Sequence, residues 1–152
     1  MNILLDSNIL IYLARDSKQQ FLKDYIVPTQ KDTYVSIVSI AEVKSIASRQ
    51  KWGIKKQFLL DEIIDKSIVI EVTTLLVNTY VEIDNFSQRT NPNFTEYSFD
   101  TPRNMGKNDL WISSTASLLG LELYTTDGDF DHLDQVFLDV RKFKHEDFAL
   151  YK

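Results

Sequence analysis

Short apolar segments alternate with stretches of helical periodicity along this chain. Runs rich in apolar and β-branched residues, typical of buried strands, occupy residues 2–5, 33–38, 67–72 and 121–126. Apolar residues at helical spacing are found over residues 9–13, 39–46, 54–65, 73–86 and 109–119. Because strands that alternate with helices build parallel sheets, the pattern predicts an α/β fold with a central, mainly parallel sheet. Residues 136–140 add a short edge strand, which makes four to five strands in all.

A long polar connection interrupts this alternation over residues 87–106. It contains Pro92 and Pro102 and exceeds the roughly 12 to 15 residues usual for a loop inside a compact domain, so we expect it to be flexible or functional. Gly120 is expected to end the helix that follows. With 152 residues, 43% of them hydrophobic, the chain suits a single domain over residues 1–152.

The composition excludes several classes of site. Without cysteine the chain has no disulfide, thiolate metal site or cysteine nucleophile, so any metal must be held by oxygen or histidine. The first residues lack the basic flank and cleavage site of a signal peptide, and no apolar run approaches the roughly 18 residues of a membrane span. We therefore expect a soluble, unprocessed protein of the cytoplasm that does not contact a membrane.

Four acidic residues follow segments that are predicted to be strands, or lie in the turn or helix after them. They are Asp6, Glu42, Asp109 and Asp127. Since ligands of parallel sheets bind at the carboxyl ends of the strands, near a topological switch point, we expect these carboxylates to converge. Oxygen ligands favour Mg²⁺ or Mn²⁺, and such ions act on phosphates. The arrangement therefore indicates phosphodiester hydrolysis.

The net charge of −5 does not contradict a nucleic-acid substrate. Without the four acids and the neighbouring Asp129, the remainder of the chain is formally neutral, and a bound cation would reverse the sign of the local charge. Basic residues available to contact phosphates cluster at residues 49–56, 103–107 and 141–144.

Each acid also has a structural explanation. Asp6 and Asn108 are suitable helix caps, and an Asn108 cap would place Asp109 in the first helical turn, where it complements the helix dipole. Ser39 and Glu42 have the spacing of a capping box, whereas Asp127-Gly128 is a common turn dipeptide. Their shared location at one predicted edge of the sheet favours a functional site over four independent caps and turns.

A calcium-binding EF-hand loop is a further alternative, because Asp127, Asp129 and Asp131 have its opening spacing. The pattern fails at its sixth position, where His132 replaces the required glycine, and at its twelfth, where Leu138 replaces glutamate. Neither of the two histidines lies in a recognised metal-binding spacing.

Four segments together resemble PIN-domain ribonucleases, and specifically the VapC-type toxins of toxin–antitoxin pairs. They are Leu-Leu-Asp-Ser-Asn at residues 4–8, Ser-Ile-Ala-Glu-Val at 39–43, Gly-Lys-Asn-Asp-Leu-Trp-Ile at 106–112 and Thr-Thr-Asp-Gly-Asp-Phe at 125–130. No single segment is specific, but their order and spacing are, and the resemblance covers nearly the whole chain.

The resemblance implies a three-layer α/β/α sandwich and a magnesium-dependent endoribonuclease, with manganese as a second option. It also implies an RNA substrate, inhibition by a cognate antitoxin, and a homodimer or a toxin–antitoxin hetero-oligomer. The residues that match the family's acidic site are Asp6, Glu42, Asp109 and Asp127, with Asp129 as an optional fifth member.

Within this site we expect Asp6 and Asp109 to be the principal metal ligands, with Asp127 and Asp129 as further ligands. Glu42 would complete the site through water or support a second ion, and the hydroxyls of Ser7 and Thr126 are expected to orient the acids. Attack by a metal-activated water would leave a 5′-phosphate and a 3′-hydroxyl.

Other interpretations differ in what they require. A phosphatase of the haloacid-dehalogenase type needs a second aspartate where this chain has Asn8, and a receiver-like signalling domain needs an aspartate where the third strand offers only Glu71. A PIN-like module that binds RNA or protein without cleaving it remains an open alternative.

Overall fold

The computed structural model describes residues 1–151, and the side chains of residues 1–148. A five-stranded sheet runs through its centre, and every pair of neighbouring strands is parallel. The strands are β1 (Ile3–Leu5), β2 (Thr33–Ser36), β3 (Ile68–Ile70), β4 (Glu122–Thr125) and β5 (Asp139–Lys142). Five α-helices flank the sheet: α1 (Ser7–Arg15), α2 (Ile37–Arg49), α3 (Ile54–Asp65), α4 (Val77–Ser87) and α5 (Lys107–Leu119).

The two faces of the sheet pack against different helices, because side chains alternate between faces along a strand. Ile3 and Leu5 of β1 belong to a core shared with α1, α2 and α3. Leu4, between them, belongs to a second core shared with α4 and α5. The predicted three-layer α/β/α sandwich is therefore confirmed.

The order of the strands places the switch point at the first strand. The sheet order is β3-β2-β1-β4-β5, so the chain moves outward from β1 to one edge and then returns to build the other side. The carboxyl ends of β2, β1 and β4 consequently lie side by side, and the crevice outside them is where an open parallel sheet binds its ligands.

The caps of two helices differ from the prediction. Helix α2 begins at Ile37, where β2 has just ended, and Ser36 is its N-cap, accepting a hydrogen bond from the backbone N–H of Val38 at 3.1 Å. Ser39 is therefore inside the helix, and the predicted capping box with Glu42 is wrong. Helix α5 is capped by Gly106 rather than by Asn108, although Asp109 does lie in its first turn.

The bounds of three further elements also differ from the prediction. Strand β3 is shorter than predicted and is an exposed edge strand, with Ile68 and Val69 44% and 39% exposed, so the prediction of a buried strand is wrong. The predicted helix over 73–86 is a 3₁₀ turn, Thr74–Leu76, that leads into α4. Strand β5 begins at Asp139, later than predicted. The connection that leads to it from β4 contains a 3₁₀ helix over residues 128–133.

The long connection between α4 and α5 is packed against the protein. The backbone N–H of Arg103 donates to the carbonyl of Ser87 at 2.7 Å, and the side-chain amide of Asn91 donates to the Glu82 carbonyl at 3.0 Å. Aromatic side chains of the connection also contact Phe86 of α4. Gly120 ends α5 in the left-handed conformation, with φ of 64°, as its position predicted.

Among the residues that the structure describes, none of the helices is both long enough and apolar enough to cross a membrane.

Candidate active site

Asp6 lies where β1 ends and α1 begins, and two hydrogen bonds fix its carboxylate. Oδ1 accepts from the backbone N–H of Ser7 at 2.7 Å, so Asp6 is indeed the N-cap of α1. Oδ2 accepts from the hydroxyl of Thr125, at the end of the neighbouring strand β4, also at 2.7 Å. With 4% of its surface exposed, the side chain is locked in the floor of the site.

Burial raises the pKa of Asp6 to about 6, because the charged carboxylate loses solvation. The hydrogen bonds from Thr125 and Ser7 offset part of this rise, while repulsion from Asp127 and Glu42 adds to it. A capping residue needs no such neighbours. The structural role of Asp6 as a cap therefore coexists with membership of an acidic cluster.

Three further aspartates converge beside Asp6. One carboxylate oxygen each from Asp109, Asp127 and Asp129 lies within 4.8 Å of the other two. Asp109 comes from the first turn of α5, and the other two come from the connection after β4. Within that connection, Asp127 Oδ1 accepts from the backbone N–H of Asp129 at 2.9 Å, which holds the two carboxylates on one turn.

The pKa of Asp109 is raised further than that of Asp6. Burial and repulsion from Asp6, Asp127, Asp129 and Glu42 together raise the pKa of Asp109 to about 7. These acids therefore concentrate negative charge around Asp109, and no lysine or arginine of the described residues forms an ion pair with it.

Glu42 reaches the rim of the site from the second turn of α2. Its Oε2 accepts from the Ser7 hydroxyl at 3.4 Å and from the side-chain amide of Asn108 at 3.3 Å. Both bonds are long, and the side chain is partly exposed, so Glu42 is held less firmly than Asp6. An open cleft of about 440 Å³ lies between Glu42 and residues 106–109.

The geometry bears on each predicted supporting residue. The Ser7 hydroxyl does contact an acid, Glu42, as expected. The hydroxyl of Thr126 is buried and makes no hydrogen bond, so it does not orient an acid as expected. That contact belongs to Thr125, which donates to Asp6 and accepts from the backbone N–H of Asp127 at 3.0 Å.

Sequence reasoning missed Thr125 and Asn108. The Thr125-Thr126 pair predicts that a hydroxyl precedes Asp127. Deciding which of the two threonines supplies it requires the end of β4 to be known to within one residue. Asn108 was noticed only as a possible cap, whereas its contact with Glu42 spans 66 positions in sequence.

The residues fit a hard divalent cation. Three carboxylates offer oxygen atoms within coordinating reach of one ion, and their mutual repulsion is the energetic problem that such an ion solves. In the described part of the chain, Lys44 pairs with Asp61 and Lys142 pairs with Asp131, and neither pair involves these acids. Asp6 lies deeper, with both oxygens already accepting hydrogen bonds.

The chain matches a known protein family. The family model described as "PIN domain" matches residues 3–136. Comparison with curated proteins gave no match.

Several solved structures share the fold. VapBC2 from Rickettsia felis, bound to a DNA fragment from its promoter, is 21% identical with a TM-score of 0.71, covering 93% of this chain and 98% of that chain. VapBC-5 of Mycobacterium tuberculosis, a member of the VapBC family of toxin–antitoxin systems, is 16% identical with a TM-score of 0.61, covering 95% and 99%. VapC20 of the same organism, a toxin that cleaves the sarcin–ricin loop, is 18% identical with a TM-score of 0.55, covering 92% and 99%.

At these identities the structural likenesses establish the fold alone. The family model, however, spans most of the sequence and includes all of Asp6, Glu42, Asp109, Asp127 and Asp129. The chain belongs to the PIN-domain family.

Proposed function

We propose that this protein is a VapC-type toxin, an endoribonuclease that depends on Mg²⁺ or Mn²⁺ and hydrolyses phosphodiester bonds of RNA. The observation that carries the proposal is the convergence of Asp109, Asp127 and Asp129 beside the buried Asp6, where burial and mutual repulsion raise the pKa of Asp109. Membership of the PIN-domain family supports the same conclusion. A structural neighbour, VapC20, is a toxin that cleaves the sarcin–ricin loop, which is RNA chemistry of the kind proposed.

Asp109, Asp127 and Asp129 would hold the ion, because their carboxylate oxygens already lie within 4.8 Å of one another. When bound, a divalent ion lowers the pKa of a water molecule and stabilises negative charge on phosphate oxygens. The carboxylates contribute by holding their positions before the ion and the substrate bind. The bond from the Asp129 N–H to Asp127 and the helical position of Asp109 preorganise them at no cost during the reaction.

Asp6 and Glu42 have different parts in the proposal. Asp6 cannot rotate freely, because Ser7 and Thr125 hold both of its oxygens, so it keeps a fixed negative charge at the floor of the site. Glu42 lies at the mouth of the cleft on two long hydrogen bonds and is free to accept a proton from the attacking water. The water oxygen bonds to phosphorus as its proton passes to Glu42, the bond from phosphorus to the 3′-oxygen breaks, and that oxygen takes up a proton from solvent and leaves as a hydroxyl.

The proposal also includes protein partners and a location. We infer a cognate antitoxin, because VapBC-5 is a member of a toxin–antitoxin family. We further propose that the toxin forms a homodimer or a hetero-oligomer with that antitoxin, and that it acts in the cytoplasm, where RNA is accessible.

The test is cleavage of a single-stranded RNA by the purified protein with Mg²⁺, Mn²⁺ or excess chelator. We expect cleavage with either ion, none in chelator, and none by Asp109→Asn in any condition. Asp100→Asn, at an exposed aspartate of the long connection, is the matched control and should cleave like the wild type.

Cleavage that persists in chelator, or in Asp109→Asn, would contradict the proposal. Metal binding without cleavage of any RNA offered would instead favour a PIN-like module that binds RNA or protein.

A further inference from the structure

His132 is buried beside the acidic turn and does not line the cleft. It lies in the 3₁₀ helix Gly128–Leu133, which follows directly after Asp127, and only 8% of its surface is exposed. Its ring is parallel to Phe86 of α4, with centroids 6.3 Å apart, and meets Phe99 of the long connection edge-on at 5.2 Å. A polar side chain in such aromatic surroundings needs a hydrogen-bond partner.

Nε2 of His132 has a close partner. It lies 2.7 Å from the hydroxyl of Ser87, the last residue of α4. A neutral imidazole has one donor and one acceptor and a hydroxyl serves as either, so this bond forms in either tautomer. Because His132 belongs to the same short helix as Asp129, the bond links that helix to α4.

The ring is neutral around pH 7. Burial and repulsion from Arg103 together lower the pKa of His132 to about 4, against smaller opposing effects of the Asp129 backbone and Asp131. A neutral imidazole costs less to bury than a charged one, which suits the aromatic surroundings of His132.

Ser87 is also bonded to the segment that leads to Asp109. Its carbonyl accepts from the backbone N–H of Arg103 at 2.7 Å, and its hydroxyl oxygen lies 3.3 Å from the sulfur of Met105. Met105 directly precedes Gly106, the N-cap of α5, and Asp109 is in the first turn of that helix. One serine thus joins the end of α4, the approach to α5 and the acidic turn.

We propose that His132 and Ser87 act together as positioning residues, which fix the turn carrying Asp127 and Asp129 at its distance from Asp109. The inference rests on the proposed function for its catalytic consequence, but its structural content concerns only the spacing of these carboxylates. Neither residue touches the cleft. Residues that support metal ligands from behind typically change metal affinity by about 10- to 100-fold when they are replaced.

Two substitutions of His132 test its bond to Ser87. Glutamine places its amide near Nε2, so His132→Gln retains a partner for Ser87. The amide of asparagine reaches only roughly the place of Nδ1, so His132→Asn loses that bond. Ser87→Ala removes the far end of the link with a minimal change of volume. His145→Asn is the control, because His145 bonds Tyr12 of α1 and lies outside the acidic turn.

The measurement is Mn²⁺ affinity by calorimetry, with hydrogen exchange of the Asp129 amide and the midpoint of thermal unfolding on the same samples. We expect His132→Asn to weaken Mn²⁺ binding by about 10-fold, and Ser87→Ala by a smaller factor. In both, exchange of the Asp129 amide, which donates to Asp127, should accelerate. His132→Gln should recover most of the affinity, and His145→Asn should match the wild type.

A merely structural role gives a different result. If His132→Asn and Ser87→Ala lower the unfolding midpoint while Mn²⁺ affinity and exchange of the Asp129 amide remain those of the wild type, the inference is overturned. It is also overturned if His145→Asn weakens Mn²⁺ binding as much as His132→Asn does.

Failure of the proposed function is distinguishable from failure of this inference. A wild-type protein that binds Mn²⁺ but cleaves no RNA refutes the nuclease and leaves the affinities to decide the positioning role. If the wild type binds no Mn²⁺, exchange of the Asp129 amide decides alone: acceleration in His132→Asn but not in His145→Asn supports the inference, and equal rates contradict it.

Discussion

Asp6 and Asp129 lie in the same acidic site, yet the chain positions them in different ways. Asp6 is at the end of a central strand, 4% exposed, with a donor on each oxygen. Asp129 is exposed on a turn, and its backbone N–H, rather than its carboxylate, makes the bond that orders the turn. We call these two parts the inner side, Asp6 with Thr125, and the outer side, Asp127 with Asp129.

The two sides differ in the energetic cost of their charges and in the freedom of their carboxylates to move. On the inner side the fold makes a charged Asp6 costly, since burial is the main cause of its raised pKa. On the outer side the carboxylates are free to meet an ion, and only a short turn sets their position. We therefore expect substitutions of the inner side to change stability strongly, and substitutions of the outer side to change metal binding and cleavage.

The largest expected effect concerns two aspartates of the outer turn. Asp129 belongs to the three-carboxylate cluster, whereas Asp131, two residues later, is paired with Lys142 at 2.7 Å. Asp129→Asn should lower RNA cleavage by roughly 100-fold, because a metal clamp is worth several kcal/mol of transition-state stabilisation. Asp131→Asn, the matched control, should cleave within about twofold of the wild type, since exposed ion pairs contribute little. Equal rates for the two variants would remove Asp129 from the site.

The second prediction concerns the pH dependence of stability on the inner side. The pKa of Asp6 is about 6 in the folded protein, against an ordinary 3.8, so the folded state binds more protons between these values. Stability must therefore fall as pH rises from about 4 to about 7, by about 3 kcal/mol for this group.

Asp6→Asn removes that loss, because the amide has no charge to bury. Chemical denaturation in chelator at pH 4 and pH 7 measures it: the wild type should lose stability relative to Asp6→Asn over this range. A constant difference between the two proteins would show that the carboxyl is not perturbed.

A third prediction compares the two adjacent threonines. Thr125→Val removes the donor to Asp6 and the acceptor of the Asp127 N–H, and should destabilise the protein by about 2 kcal/mol at pH 7. Thr126→Val removes a buried hydroxyl that makes no hydrogen bond, so stability should be unchanged or slightly higher. Urea unfolding of both variants decides this, and the reverse order of stabilities would restore the predicted role of Thr126.

The smallest expected effect is at the rim. Asn108→Ala removes the 3.3 Å bond to Glu42, and an exposed hydrogen bond is worth about 0.5 kcal/mol. Cleavage should fall by about twofold, with an unchanged unfolding midpoint. A loss comparable to that of Asp129→Asn would mean that Glu42 depends on Asn108 far more than the long bond suggests.

The sequence predicted the architecture and the edge of the sheet where the acids lie. Alternating strands and helices require a parallel sheet, and the acids that follow those strands must then share one edge. The exposure of β3 was not predictable in the same way, because its β-branched residues suit a buried strand equally well. Its exposure follows from strand order, which places it at the edge.

Finer features of the site depended on positions that local patterns do not determine. Ser36 and Ser39 are both acceptable caps, and the choice depended on where β2 ended. The same uncertainty of one or two residues exchanged Thr125 for Thr126. The contact of His132 with Ser87 spans 45 positions and involves no motif, so only the folded chain reveals it.

The most direct test of the central claim, that these carboxylates support metal-dependent attack by water, is the identity of the RNA ends. Cleavage products formed with Mg²⁺ should carry a 5′-phosphate and a 3′-hydroxyl by mass spectrometry. Products ending in a 2′,3′-cyclic phosphate would contradict the account, because they would show that the ribose 2′-hydroxyl, and not water, attacked the phosphorus.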